Sequence, residues 1–264
     1  MLNFNYELID NNQPKTIMLL HGFLSSKESM RKIAEGLSDL RSVILVDLPG
    51  FGETNSTSHD YCMEDIADGL IAIADRHNIK TFDVLGYSMG GRTALALTVQ
   101  FPERLEKCIL ESASPGIADG NKKAERLTLD QKRSESIVSD YNEFLNFWQS
   151  MPLFQTQQHV DESLLQVQLD ERLQQIPAEA ADSLLKYGTG VQRSYWNDLS
   201  GLNNHFYLIT GSEDKKFIKV AETMSERLKS AKLDIVENCG HNIHLENYEA
   251  YINLVRKYLE EDNS

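Results

Sequence analysis

A serine stands between two glycines in Gly86-Tyr87-Ser88-Met89-Gly90, directly after the apolar run Phe82–Gly86 and at the start of the helix-like Gly90–Phe101. The glycines allow a tight strand-to-helix turn that lifts the serine hydroxyl clear at a helix N-terminus, the geometry of a nucleophile elbow. Serine alone is a weak nucleophile and a weak base, so it needs an imidazole, and the imidazole needs a group to orient it. Of seven histidines, His241 follows the strand-like Leu233–Glu237 and lies where such a base belongs. His244, three residues on, is the rival; otherwise it is a surface or supporting residue. His21 precedes the serine and reads as a structural histidine buttressing its loop. The acid belongs after the preceding strand, where Gly211-Ser212-Glu213-Asp214 offers two carboxylates. Asp214 is preferred and Glu213 is the alternative; Asp47 precedes the serine and reads as a solvated turn residue.

An anion formed beside such a serine needs donors. The elbow supplies the N–H of the next residue, Met89, and the loop His21-Gly22-Phe23 after the first long strand supplies that of Phe23. Arg92 lies one turn after Ser88 on the same helix, which turns it toward the site. The segment beyond residue 115 carries Arg126, Arg133, Arg172 and Arg193, which by default are solvated.

These residues are positioned by alternating elements. Strands are expected at Lys15–His21, Ser42–Asp47, Phe82–Gly86 and Leu105–Leu110, with helices at Met63–His77 and Gly90–Phe101, the latter ended by Pro102. Such alternation gives a mostly parallel sheet with helices on both faces. From Gly116 to about Gly201 strand signal disappears, and amphipathic stretches such as Tyr141–Gln149 and Glu162–Gln175 take over. Alternation returns with His205–Gly211, Phe217–Lys229, Leu233–Glu237 and Glu246–Leu259. The expected organisation is a core of residues 1–115 and 202–264, interrupted by a helical cap of residues 116–201 that roofs the carboxyl ends of the strands.

The 264 residues suit one such core with an insertion, and 41% hydrophobic and 25% charged residues are ordinary for a soluble globular chain. The net charge of −14 disfavours nucleic acid and anionic membranes as partners. No apolar run is long enough to span a membrane, and Met1–Asn12 lacks the pattern of a signal peptide. Three scattered cysteines, Cys62, Cys108 and Cys239, suggest neither disulfides nor a metal site, and fit reduced thiols in the cytoplasm.

Taken together, these residues are similar to the 2-succinyl-6-hydroxy-2,4-cyclohexadiene-1-carboxylate synthases of menaquinone (vitamin K2) biosynthesis, members of the α/β-hydrolase superfamily. The likeness covers nearly the whole chain. It rests on His21-Gly22-Phe23, on Gly86-Tyr87-Ser88-Met89-Gly90-Gly91-Arg92, on Ser114-Pro115-Gly116, on Gly188-Thr189-Gly190, on Gly211-Ser212-Glu213-Asp214-Lys215-Lys216-Phe217 and on Gly240-His241-Asn242-Ile243-His244. It implies an α/β-hydrolase fold, a carbon–oxygen lyase rather than a hydrolase, and no metal or organic cofactor. The implied substrate is a tricarboxylate, 2-succinyl-5-enolpyruvyl-6-hydroxy-3-cyclohexene-1-carboxylate. By position the family's carboxylate-binding arginines fall on Arg92, Arg126 and Arg172, and its pocket aromatics on Tyr87 and Trp148. Arg133 and Arg193 stay solvated in this reading. The same triad would also serve a serine esterase or a C–C bond hydrolase, and the same fold a non-catalytic ligand receptor.

Overall fold

In a computed structural model that describes residues 2–261, the apolar runs pair into a seven-stranded sheet of order β1-β3-β2-β4-β5-β6-β7. The strands are β1 (Tyr6–Ile9), β2 (Thr16–Leu20), β3 (Ser42–Val46), β4 (Phe82–Tyr87), β5 (Leu105–Glu111), β6 (His205–Gly211) and β7 (Ala231–Val236). All neighbours pair in parallel except β1, which joins β3 antiparallel at one edge, Tyr6 opposite Val46. Met1 and residues 262–264, the outermost parts of the expected core segments, lie outside the described residues.

Every residue of β2 and β3 is buried, because helices cover both faces of a parallel sheet. Alternate side chains go to opposite layers. Ile17, Leu19, Val43 and Leu45 pack under α1 (Arg31–Gly36) and the C-terminal helix α10 (Tyr248–Glu260), against Ile33, Tyr251 and Val255. Met18, Leu20, Ile44 and Val46 face the layer of α2 (Met63–Arg76), α3 (Met89–Gln100) and α8 (Lys215–Arg227), with Ile66, Leu95 and Met224. A short helix, α9 (Ile243–Glu246), precedes α10.

Between β5 and β6 the chain forms α4 (Gly120–Ser139), α5 (Tyr141–Gln149), a 3₁₀ segment over Pro152–His159, α6 (Glu162–Leu173) and α7 (Pro177–Tyr187). Ile137, Phe144, Leu145, Ala181 and Tyr187 from these helices join the same apolar cluster as Phe51 and Tyr61 of the core. Two carboxylates fasten this layer to loops at the carboxyl ends of β2 and β3. Glu171 accepts from Ser26 N (2.7 Å), Ser26 Oγ (2.7 Å) and Ser25 Oγ (3.1 Å). Glu179 accepts from Ser56 N (2.6 Å), Thr57 N (3.0 Å) and Thr57 Oγ1 (2.7 Å).

Candidate active site

Ser88 occupies the turn from β4 into α3 with φ 51° and ψ −103°, a backbone region that costs a non-glycine residue about 1–3 kcal/mol. Two neighbours make this turn possible. A Cβ on Gly86 would meet the Gly90 carbonyl oxygen at 2.3 Å, and one on Gly90 would meet the Leu20 carbonyl oxygen at 2.1 Å. The Ser88 N–H donates to the Glu111 carbonyl at 2.9 Å, which ties the elbow to the end of β5.

Ser88 Oγ lies 3.0 Å from His241 Nε2, and His241 Nδ1 lies 2.7 Å from Asp214 Oδ2. Asp214 follows β6 and caps α8, its other oxygen accepting from Phe217 N at 3.2 Å. His241 and Asp214 side chains are only 2% and 6% exposed, so the relay is dry apart from its cavity end. The Phe217 and Tyr87 rings stand 4.6 Å and 5.6 Å from the imidazole. Glu213, the alternative acid, is exposed, and its carboxylate takes a 3.4 Å contact from Ser212 Oγ.

The other two readings near the strand ends divide. His21 is fully buried; its Nδ1 contacts the Gly22 carbonyl at 2.7 Å and its Nε2 accepts from Leu48 N at 2.9 Å, which fixes a neutral tautomer in a structural place. Burial pushes its pKa down, which keeps it neutral. Asp47, expected in a solvated turn, is instead fully buried. It accepts from Lys27 N (2.7 Å), Glu53 N (3.1 Å) and Asn5 Nδ2 (3.0 Å), and pairs with Lys27 Nζ at 3.2 Å. A turn crowded with backbone donors favours a buried acceptor there.

Ser88, His241 and Met89 line a cavity of about 1250 Å³ between the strand ends and the helices above them. Phe23 also lines it, and neither the Phe23 nor the Met89 N–H has an acceptor among the described residues. Tyr87 and Trp148 are in its wall, Trp148 with ring centroids 5.1 Å from Phe23 and 5.8 Å from Phe154. Arg92, Arg126 and Arg172 line the same cavity. Arg92 donates to the Tyr187 carbonyl at 3.1 Å and to Gln192 Oε1; burial, then the nearby Arg126, lower its pKa to about 10, so it stays charged at neutral pH. Arg126 spends Nε on Asp130 at 2.7 Å. Arg172 is 6% exposed, its guanidinium has no acceptor among the described residues, and burial lowers its pKa.

Arg193 is outside the cavity, half exposed and paired with Glu64 and Asp198, as expected of a solvated residue. Arg133 is a correction. Its side chain is 11% exposed, lies over Trp148 and lines the cavity. Expecting it in solvent neglected that Arg126, Asp130 and Arg133 share one face of α4.

Glu111 and His244 were not singled out together by the sequence. Glu111 is fully buried at the end of β5, accepting from Ile243 N (2.7 Å), His244 N (3.1 Å) and His244 Nδ1 (2.7 Å). It thus holds the loop that carries His241. A carboxylate closing an otherwise apolar strand was the available signal. Among the described residues no group of three or more His, Cys, Asp or Glu is placed to hold a metal ion.

The alpha/beta hydrolase fold family matches residues 15–248. A protein of Bacillus subtilis (strain 168), which carries the name 2-succinyl-6-hydroxy-2,4-cyclohexadiene-1-carboxylate synthase provisionally, is 32% identical over 94% of this chain and 91% of its own. A solved structure of MenH from S. aureus superposes with a TM-score of 0.94 at 29% identity, covering 100% of both chains. An esterase from Thermogutta terrifontis reaches a TM-score of 0.85 at 20% identity over 98% of this chain and 93% of that one, a likeness of fold alone.

Proposed function

This chain belongs to the α/β-hydrolase fold family and, within it, to the 2-succinyl-6-hydroxy-2,4-cyclohexadiene-1-carboxylate synthases, and we propose that Ser88, His241 and Asp214 carry the elimination of pyruvate that defines them. The enzyme is a carbon–oxygen lyase of menaquinone biosynthesis. Its substrate in this reading is the tricarboxylate 2-succinyl-5-enolpyruvyl-6-hydroxy-3-cyclohexene-1-carboxylate.

The ring proton α to the succinyl ketone is the one a base can remove, because the electrons left behind delocalise onto the ketone oxygen. Asp214 holds the imidazole with Nδ1–H toward itself, leaving Nε2 to accept from Ser88. Ser88 Oγ, made basic as its own proton passes to His241, takes the ring proton; alternatively His241 takes it directly. The enolate oxygen is received by the free N–H groups of Phe23 and Met89. Its electrons return through the ring double bond, the ring bond to the enolpyruvyl oxygen breaks with its electron pair on that oxygen, and the enolate so released takes up the proton held by His241 and becomes pyruvate, with a conjugated diene left behind. Arg92, Arg126 and Arg172 hold carboxylates, with Tyr87 and Trp148 against the ring.

The observation that carries this reading is one cavity joining an intact serine–histidine–aspartate relay to buried guanidiniums, of which that of Arg172 has no hydrogen-bond acceptor among the described residues. Neutral esters give no reason to bury such charge. Described helices include none long and apolar enough to cross a membrane. We place the enzyme in the cytoplasm, which suits its three free thiols, and assign the helices between β5 and β6 the part of a cap. The test is incubation with the tricarboxylate, following pyruvate and diene absorbance. Rapid hydrolysis of nitrophenyl esters with the tricarboxylate untouched would replace this reading with a serine esterase or C–C bond hydrolase, and no turnover of either with a receptor.

A further inference from the structure

The wall of the cavity holds more positive charge than three arginines. On α4, Arg126, Asp130 and Arg133 are spaced four and then three residues apart, so all three point the same way. Asp130 is fully buried and already satisfied: Oδ1 accepts from Arg126 Nε at 2.7 Å and Oδ2 from Gly190 N at 3.0 Å. Gly190 must be glycine for this approach, since a Cβ there would lie 2.6 Å from Leu127 Cα. Arg133 Nη1 stays 3.7 Å from Asp130 Oδ1, an attraction but too long for a hydrogen bond.

What remains to Arg133 is poor. Its guanidinium carbon lies 5.4 Å from the Trp148 ring centroid, Nη2 faces the Met151 sulfur at 3.8 Å, and Nε is buried with no partner among the described residues. Burial and the neighbouring Arg126 lower its pKa, with Asp130 pulling the other way. One carboxylate thus serves two guanidiniums and leaves a net positive charge facing the cavity. Buried donors without acceptors are costly, and that cost is removed when a ligand brings the acceptor. Arg126 keeps both terminal nitrogens free of protein acceptors among the described residues.

We infer that Arg133 and Arg126 form a paired guanidinium clamp, spaced by Asp130, that takes one carboxylate group of the substrate. This rests on the reading of the cavity as a polycarboxylate site. The clamp makes Arg133 a residue of substrate selection, set apart from the bond-breaking groups at Ser88. Two planar forks on one carboxylate give charge-assisted bonds that a single lysine ammonium cannot reproduce.

The test uses Arg133→Ala, Arg133→Met and Arg133→Lys beside Arg193→Ala. Met keeps an apolar stem on Trp148 and so preserves packing if Ala does not fold. Each variant is titrated with 2-succinylbenzoate, an unreactive aromatic dicarboxylate that keeps the succinyl ketone and ring carboxylate, and assayed on the tricarboxylate. The clamp predicts that Ala and Met raise KM or the probe's Kd by at least about 10-fold. It predicts kcat little changed, partial recovery in Lys, and no effect of Arg193→Ala. A folded Arg133→Met protein with both constants at wild-type values overturns the clamp. If the wild type releases no pyruvate yet binds the probe through Arg133, the clamp stands and the lyase reading falls.

Discussion

The floor and the roof of the cavity treat buried polar groups in opposite ways. On the floor the side chains around the serine are satisfied from within: Ser88 by His241, His241 by Asp214, Asp214 by the Phe217 N–H, and the Glu111 carboxylate by the loop beside them, with the Phe23 and Met89 N–H groups left open. In the roof, among the described residues, the Arg172 guanidinium has no acceptor, Arg133 Nε is orphaned, and Trp148 Nε1–H is buried without a partner. A closed network fixes geometry before substrate arrives, as proton transfer requires. An open one leaves free energy to be gained only when a matching anion enters, which is how a site discriminates.

The contrast breaks most sharply on the floor. Ser88→Ala, His241→Ala and Asp214→Asn should each lower kcat by roughly a thousand-fold or more, and the double variants should lose little beyond the singles, since the groups act as a unit. Single-turnover pyruvate release measures this; an active Ser88→Ala enzyme would leave His241 as the sole base. In the roof, Arg92→Ala, Arg126→Ala and Arg172→Ala should each cost about 2–5 kcal/mol in kcat/KM, more strongly at low ionic strength. A steady-state series at two salt concentrations checks it, and equal behaviour of Arg193→Ala would erase the distinction between the regions.

The join between them should respond more mildly. Burial holds the Glu171 pKa above the ordinary carboxylate range, against the hydrogen bonds from Ser26 and Ser25. The folded state therefore favours protonated Glu171, so its contribution to stability is full below the ordinary carboxylate range and is lost as pH rises through the folded value. Glu171→Gln keeps an acceptor without the charge and should flatten that part of the pH dependence, with a change at neutral pH within about 1 kcal/mol. Urea midpoints at acidic and neutral pH test this, and a profile parallel to wild type would contradict it. Smallest of all is the effect of alkylation. Burial pushes Cys108 up to about 12 and Cys239 up to about 11, while Cys62 is exposed. Iodoacetamide should label Cys62 alone in the native protein and leave turnover intact; mass spectrometry with an activity assay decides it.

The floor could be read in the sequence because the catalysis proposed for it demands particular residues at particular turns. Gly86 and Gly90 are enforced by backbone collisions, and Asp214 and His241 each follow an apolar strand. The roof was harder for physical reasons. The buried residue of α6 is Arg172 rather than an apolar stripe, so the amphipathic spacing over Glu162–Gln175 marks the helix and not the side it buries. In α4 only Asp130, Ser134 and Ile137 are buried, which hides the face that carries Arg126 and Arg133. The edge strand β1 is half-buried along its length and too short to announce itself. Asp47 and Glu111 were missed as buried acceptors because a carboxylate at a strand end looks the same in sequence whether water or N–H groups surround it.

The Glu111 tie bears on how the molecule comes to be active. Its carboxylate reaches 132 residues along the chain to the Ile243 N–H, and Ser88 reaches 153 residues to His241. Contacts this remote close late, after the local helices have formed. A refolding chain therefore regains most of its helix before it regains turnover, and a nascent chain carries Ser88 through the next 153 residues of synthesis before His241 is made. Unscheduled chemistry by partly made enzyme is thereby excluded by chain order alone.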